Sequence, residues 1–269
     1  MRRFGKAFIC VLLAGILFFC QTGCTYTVSS SDTEKKEVQK LAWGELTDMT
    51  RKALELAGAD LEQFDPQNPK LSEKMLIESA AYLETVLTGK YPETQFVVLS
   101  CVRRGLNQEY DEFRLAPSDR PEDVFMARVS GNTGNFSCAE GYYGVIHAEE
   151  YEQLLTQIFA EHAEQVQVFS TIDYLFSEEI AEDTPLAAAI REPDFYAFSW
   201  VLLTPNDTPF AERVSVMKLA VEDASAWGDY AFYLLMPDVD DMTKAEAFSR
   251  FPHNEEEKVY SDMIRYSLR

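Results

Sequence analysis

Hydrophobic and polar positions change period several times along the chain, and each change marks a helix or a strand. Five segments have apolar residues at helical spacing, and we predict helices there. They are 37–57, 72–89, 149–163, 185–191 and 211–224. Ser72 is a candidate N-cap of the second helix, and Gly89 is its candidate end. Frequent β-branched valine keeps a strand open as the alternative for 211–224.

Short apolar runs bounded by turn-forming residues predict strands. These runs are 95–103, 109–116, 124–130, 136–145, 166–172, 195–204 and 229–236. The connections between the first four are too short for parallel neighbours, so we predict an antiparallel meander. The last two runs are apolar on both faces, which is typical of strands covered on both sides.

The order of these elements predicts an α+β fold, with helices packed on a mostly antiparallel or mixed β-sheet. A length of 269 residues allows one large domain or two small ones, and we expect any boundary near Glu164. The acidic segment 238–269 has no clear period, so no element is predicted there.

The amino terminus has the pattern of an export signal. Residues 1–6 are basic, and an unbroken apolar run of 14 residues follows from 7 to 20. A helix needs roughly 20 apolar residues to cross a bilayer, so this run suits the core of a signal better than a permanent span. Small residues then lead into Cys24.

Thr22, Gly23 and Cys24 resemble the lipobox of a bacterial lipoprotein precursor, with Gln21 where that class usually has Leu. The resemblance implies that diacylglycerol is attached to the Cys24 thiol and that residues 1–23 are removed. Residues 24–36 are polar and Ser-rich and predict a flexible tether, followed by a globular body over 37–269. A plain secretory signal cut nearby is the alternative.

The charge of the chain is divided unevenly. The first 23 residues hold three basic side chains and no acidic one, so the remainder has 21 basic against 45 acidic side chains. A surface this acidic repels phosphate backbones and anionic lipid headgroups. We therefore expect no nucleic-acid partner, and contact with the membrane only through the lipid on Cys24.

Two cysteines, Cys101 and Cys138, remain in the predicted body. Disulfides persist in exported proteins, so one bridge between them is one interpretation. Two separate buried thiols are the other, because a free cysteine packs as a small hydrophobic residue.

Local sequence motifs identify no catalytic centre. The three histidines are His147, His162 and His253, and no H-E-x-x-H, G-x-S-x-G or phosphate-binding glycine pattern occurs in the body. We predict no metal site and no cofactor.

Aromatic residues suggest one candidate surface for a ligand. Tyr142 and Tyr143 are adjacent within a predicted strand, so their side chains should point to opposite faces of the sheet. One of them together with Tyr110 would then form a platform for a sugar or peptide on the outer face.

Two functions follow from these patterns. The first is a non-enzymatic binding or interaction module, exported and held at the outer face of the bacterial cell membrane by lipid, with a protein, peptide or sugar as its ligand. The alternative is an exported hydrolase acting on cell-wall, glycan or peptide material, with a pair of carboxylates as acid and base.

Overall fold

A computed structural model describes residues 46–65, 68–160, 166–192, 194–235, 242–251 and 260–268. The predicted signal, Cys24 and the tether lie outside these ranges, as do His162, His253 and Glu164, and the predictions about them stay predictions.

The described residues form seven helices and nine strands. The helices are α1 (Asp48–Leu56), α2 (Leu71–Lys90), α3 (Tyr142–Ile146), α4 (Ala148–Ala160), α5 (Leu186–Ala189), α6 (Phe210–Asp223) and α7 (Lys244–Arg250). The strands are β1 (Phe96–Val102), β2 (Tyr110–Pro117), β3 (Phe125–Asn132), β4 (Asn135–Glu140), β5 (Val166–Ile172), β6 (Phe176–Ser177), β7 (Ala197–Leu203), β8 (Gly228–Leu235) and β9 (Tyr260–Leu268). The predicted α+β class is confirmed, with two sheets in place of one.

The first sheet has the order β1-β2-β3-β4-β6 and is antiparallel throughout, as the meander prediction required. Alternate residues of its strands, such as Phe113, Leu115 and Val129, are fully buried on one face. Helices α1 and α2 cover that face, where Leu83 and Leu87 of α2 join the same apolar core. Side chains of the opposite face, including Val97 and Val102, are exposed.

The second sheet has the order β5-β7-β8-β9 and is mixed, because β7 and β8 are parallel and the other pairs are antiparallel. Helix α6 forms the crossover between the two parallel strands. Val201 and Phe232 belong to the core with α4 and α6, whereas Leu202 and Tyr233 belong to a core on the other face with α7. The prediction that β7 and β8 are apolar on both faces because both are covered is confirmed.

Several predicted boundaries were wrong. Helix α2 begins after Lys70, whose backbone N–H donates to the Glu73 carboxylate at 2.8 Å, so Ser72 lies inside the helix. The segment 136–145 is not one strand, because β4 ends at Glu140 and α3 follows. The unassigned carboxyl-terminal segment contains α7 and β9.

Buried Glu140 explains the change from strand to helix. Its Oε2 accepts hydrogen bonds from the backbone N–H groups of Tyr142 at 2.6 Å and Tyr143 at 3.3 Å. Lys90 Nζ and the Tyr91 hydroxyl donate to its Oε1 at 2.5 and 2.9 Å. The carboxylate satisfies the first amides of α3, and the lysine balances its buried charge.

The chain returns to the first sheet after β5, since β6 pairs with β4 through Ala139↔Ser177 and Glu140↔Phe176. The Tyr82 hydroxyl on α2 also donates to Glu178 Oε2 at 2.5 Å. Phe176 and Tyr174 also pack in the core of the second sheet, so residues 174–178 contact both sheets.

Candidate ligand-binding cleft

A cleft of about 620 Å³ opens at one end of the second sheet, where the parallel strands β7 and β8 begin and β9 ends. Its size falls within the range usual for small-molecule sites. Aromatic, acidic and basic side chains share its wall: Arg191, Glu192, Asp194, Phe195, Tyr196, Trp227 and Leu268.

Trp227 is placed by a sharp connection between α6 and β8. Helix α6 is followed by Ser225, which has a φ of 52°, and by Ala226, which is buried. Gly228 then enters β8 with a φ of 150°, and a Cβ there would lie 2.4 Å from the Ala197 carbonyl oxygen. The indole between these two tight positions is 38% exposed, which is high for a tryptophan.

The opposite wall is formed by the residues between α5 and β7. Asp194 has a φ of 65°, in the left-handed region that aspartate enters more often than most residues other than glycine. Next to it, Phe195 is buried and its ring lies edge-on to Tyr151 at 5.8 Å between centroids. The Tyr196 hydroxyl donates to Asp229 Oδ2 at 2.8 Å, which holds that ring at the start of the two parallel strands.

Glu192 is connected to the core through a tyrosine. The Tyr174 hydroxyl donates to Glu192 Oε2 at 3.4 Å. Burial, and then the nearby Glu192 carboxylate, raise the pKa of Tyr174, so its hydroxyl keeps its proton and continues to donate.

The cleft can bind a neutral or zwitterionic molecule that has one apolar face. The Trp227 indole offers a flat apolar surface. The Glu192 and Asp194 carboxylates accept hydrogen bonds, and Arg191 donates them.

The predicted tyrosine platform is wrong. Tyr142 and Tyr143 lie in α3, are 1% and 0% exposed, and pack into the cores of different sheets. The Tyr142 hydroxyl accepts from Arg120, and the Tyr143 hydroxyl donates to the Thr184 carbonyl at 2.7 Å. Tyr110 is half-buried at the start of β2, where the Arg128 guanidinium lies 4.6 Å from the centre of its ring.

The disulfide interpretation is also wrong, since Cys101 and Cys138 are free thiols. Cys101 lies in β1 and Cys138 in β4, with β2 and β3 between them. Three inter-strand steps of about 4.8 Å separate the two strands by about 14 Å. A disulfide requires Cα atoms within about 7 Å, so the pair cannot be joined in this fold.

His147 follows α3 and is used in local contacts. Its Nδ1 lies 2.8 Å from Glu150 Oε2, and its Nε2 lies 3.2 Å from the Glu182 carbonyl oxygen. Within the described part of the chain, no group of three or more His, Cys, Asp and Glu side chains is arranged to hold a metal ion.

No residue of the cleft was predicted from the sequence. The available signal was Trp227 itself, which stands between a helix and a strand in Ser-Ala-Trp-Gly and belongs to neither apolar period. Its meeting with residues 191–196 depends on the pairing of β7 with β8 and could not be derived locally.

No protein-family model and no curated protein matches the chain. A crystal structure of a DUF5037 family protein from Ruminococcus gnavus is similar over 57% of this chain and 73% of that chain, at 16% identity and a TM-score of 0.31. A similarity this low carries no argument about fold or function. No helix among the described residues is long and apolar enough to cross a membrane.

Proposed function

We propose that this chain is a membrane-anchored, extracytoplasmic lipoprotein whose body is a non-enzymatic module that binds a sugar in the Trp227 cleft. The observation that carries the binding proposal is the exposed indole of Trp227 in a cleft shared with Arg191, Glu192 and Asp194. A sugar ring has an apolar C–H face for the indole and hydroxyls for the charged side chains.

A calorimetric titration tests the binding proposal. The ligands are chitotetraose and cellotetraose, which are neutral and differ in their acetamido groups. We expect the wild-type protein to bind at least one of them and Trp227→Ala to lose at least tenfold in affinity, because the stacking surface is gone. Leu219→Ala is the matched control, since Leu219 is a 60% exposed apolar residue on α6 outside the cleft lining.

Two results would contradict the sugar proposal. One is the absence of binding to either tetrasaccharide, in which case a short-peptide library would be the next panel. The other is an equal affinity of Trp227→Ala and wild type, which would place the sugar elsewhere.

An exported hydrolase remains the second candidate, because Glu192 and Asp194 place two carboxylates on the wall of one aromatic cleft. Incubation of the same tetrasaccharides with the protein would then release new reducing ends, and Glu192→Gln and Asp194→Asn would each abolish the release. Binding without release supports the non-enzymatic module.

The anchor is supported by the basic residues 1–6, the apolar run 7–20 and the Thr22-Gly23-Cys24 sequence. Expressing cells supplied with radiolabelled palmitate should label the wild-type chain and not Cys24→Ala. Cys20→Ala is the matched control and should keep the label. Equal labelling of wild type and Cys24→Ala would contradict the anchor, and an unlabelled wild type would favour a plain secretory signal.

A further inference from the structure

A second groove, of about 590 Å³, lies at the end of the first sheet, far along the chain from the Trp227 cleft. It is bounded by the end of α1, the beginning of α2 and the end of β1. Its lining is mostly apolar with two arginines at one side: Leu56, Ala57, Ser72, Met75, Cys101, Val102, Arg103, Arg104 and Asp111.

One of the two arginines is neutralised by a buried carboxylate. Asp111 is 1% exposed and accepts from the Arg104 backbone N–H at 2.8 Å and from Arg104 Nε at 2.9 Å. The Ser79 hydroxyl also donates to it at 2.6 Å. Arg104 and Asp111 together therefore carry no net charge at this side of the groove.

Arg103 differs from its neighbour. It is exposed, and no carboxylate in the described part of the chain lies within ion-pair distance of it. The groove therefore has one net positive charge, on a body that is strongly acidic.

The remaining wall is uncharged. Leu56, Ala57 and Met75 are apolar, and Cys101 is a thiol whose pKa burial raises to about 12. The thiol is thus protonated at neutral pH and behaves as an apolar side chain. An apolar channel with a single cation at its side matches a ligand that has one anionic end and an apolar body.

We infer that this groove binds a single-chain carboxylate amphiphile, such as a fatty acid, with the carboxylate at Arg103 and the chain along Leu56, Ala57 and Met75. The acidic body repels a bare anion, so the apolar chain supplies most of the affinity and the arginine orients it. The inference does not depend on the sugar cleft, because the two sites share no residue.

Calorimetric titration of the full chain with octanoate, decanoate and dodecanoate, each below its micellar concentration, tests the inference. Each added methylene that is buried should raise affinity about fourfold, so each step of two methylenes should raise it about 15-fold until the groove is filled. Arg103→Gln should weaken decanoate binding about tenfold. Arg114→Gln is the matched control, since Arg114 is exposed on the opposite face of the same sheet, and it should bind as wild type does.

A second readout uses Cys101 as a reporter inside the groove. Saturating decanoate should slow maleimide labelling of Cys101 at least fivefold, measured by mass spectrometry of the Cys101 peptide. The neutral 1-decanol should bind at least tenfold more weakly than decanoate. Equal affinity of Arg103→Gln and wild type, equal affinity of the alcohol and the acid, or unchanged Cys101 labelling would each overturn the inference.

Discussion

Gly228 follows Trp227 as the first residue of β8, where it pairs with Leu268 of β9 in a backbone conformation with a φ of 150°. A Cβ at this position would lie 2.4 Å from the Ala197 carbonyl oxygen, which is shorter than a van der Waals contact. The clash is with the first residue of β7, so the substitution tests the close approach of β7 and β8.

We expect Gly228→Ala to lower the free energy of unfolding by about 2–3 kcal/mol, measured by urea denaturation. Gly105→Ala is the control, because a Cβ at Gly105 would have no atom within 4 Å and the φ of this residue is not positive. That variant should stay within about 0.5 kcal/mol of wild type. Equal stability of the two variants would contradict the close approach of β7 and β8.

Cys101 has a thiol whose pKa is raised to about 12, mainly by burial and then by Asp111, with Arg103 acting in the opposite direction. The thiolate is the reactive form, so its fraction should increase tenfold with each pH unit until the pH reaches the pKa. We therefore expect the rate of Cys101 alkylation to rise about tenfold per unit from about pH 7.5 to about pH 10.5 without levelling off.

Glutathione under the same conditions is the control for this pH profile. Its rate should begin to level off near about pH 9, where an ordinary thiol is more than half ionised. A Cys101 profile that levels off at the same pH would show that the thiol is not buried in the groove wall.

At the scale of elements, Glu140 is the last residue of β4 and its carboxylate binds the first amides of α3. The same carboxylate accepts a hydrogen bond from Lys90 at the end of α2. The Glu140 side chain is 0% exposed and that of Lys90 is 7% exposed. Removing one partner of a buried ion pair leaves the other charge uncompensated. We expect Glu140→Gln to lower the free energy of unfolding by about 3–5 kcal/mol in urea denaturation.

Glu112→Gln is the control for this substitution. Glu112 Oε2 accepts from Arg128 Nε at 2.9 Å on the outer face of the first sheet, where both side chains are in contact with solvent. Such pairs contribute about 1 kcal/mol or less. A loss at Glu140 no larger than the loss at Glu112 would contradict its structural role.

The same element shows why the strand prediction over 136–145 went too far. Residues 136–140 follow a strand pattern, and the next residues are apolar as well, so local periodicity continues the strand. The change to α3 is produced by the Glu140 carboxylate and by Lys90, which is 50 residues away along the chain. The strands β5, β7 and β8 were predicted within a few residues, because apolar runs with turn signals at both ends define them locally.

At the scale of the whole molecule, residues in or next to the first sheet take part in the core of the second sheet. Tyr143 follows β4 of the first sheet but packs with Phe176 in the core of the second sheet, at 4.6 Å between ring centroids. Together with the β4–β6 pairing, this contact argues for unfolding as one unit.

Differential scanning calorimetry should therefore show one unfolding transition for the globular body. Leu115 in the first sheet and Leu203 in the second are both fully buried, and Leu115→Ala and Leu203→Ala should each cost about 2–5 kcal/mol. Each should lower the midpoint of the same transition by about 5–15 °C. Two transitions, each moved by only one variant, would support a domain boundary near Glu164.

The sequence by itself determined the α+β class, most strands, the main helices and the expectation of an anchored amino terminus. These features depend on neighbouring residues, through periods of about two and about 3.6 and through a short apolar run before Cys24. Only the tertiary structure decided that there are two sheets, that Cys101 and Cys138 are separated by two strands, and that Trp227 meets Glu192 and Asp194. Strand order and register bring distant residues together, and no local pattern specifies them.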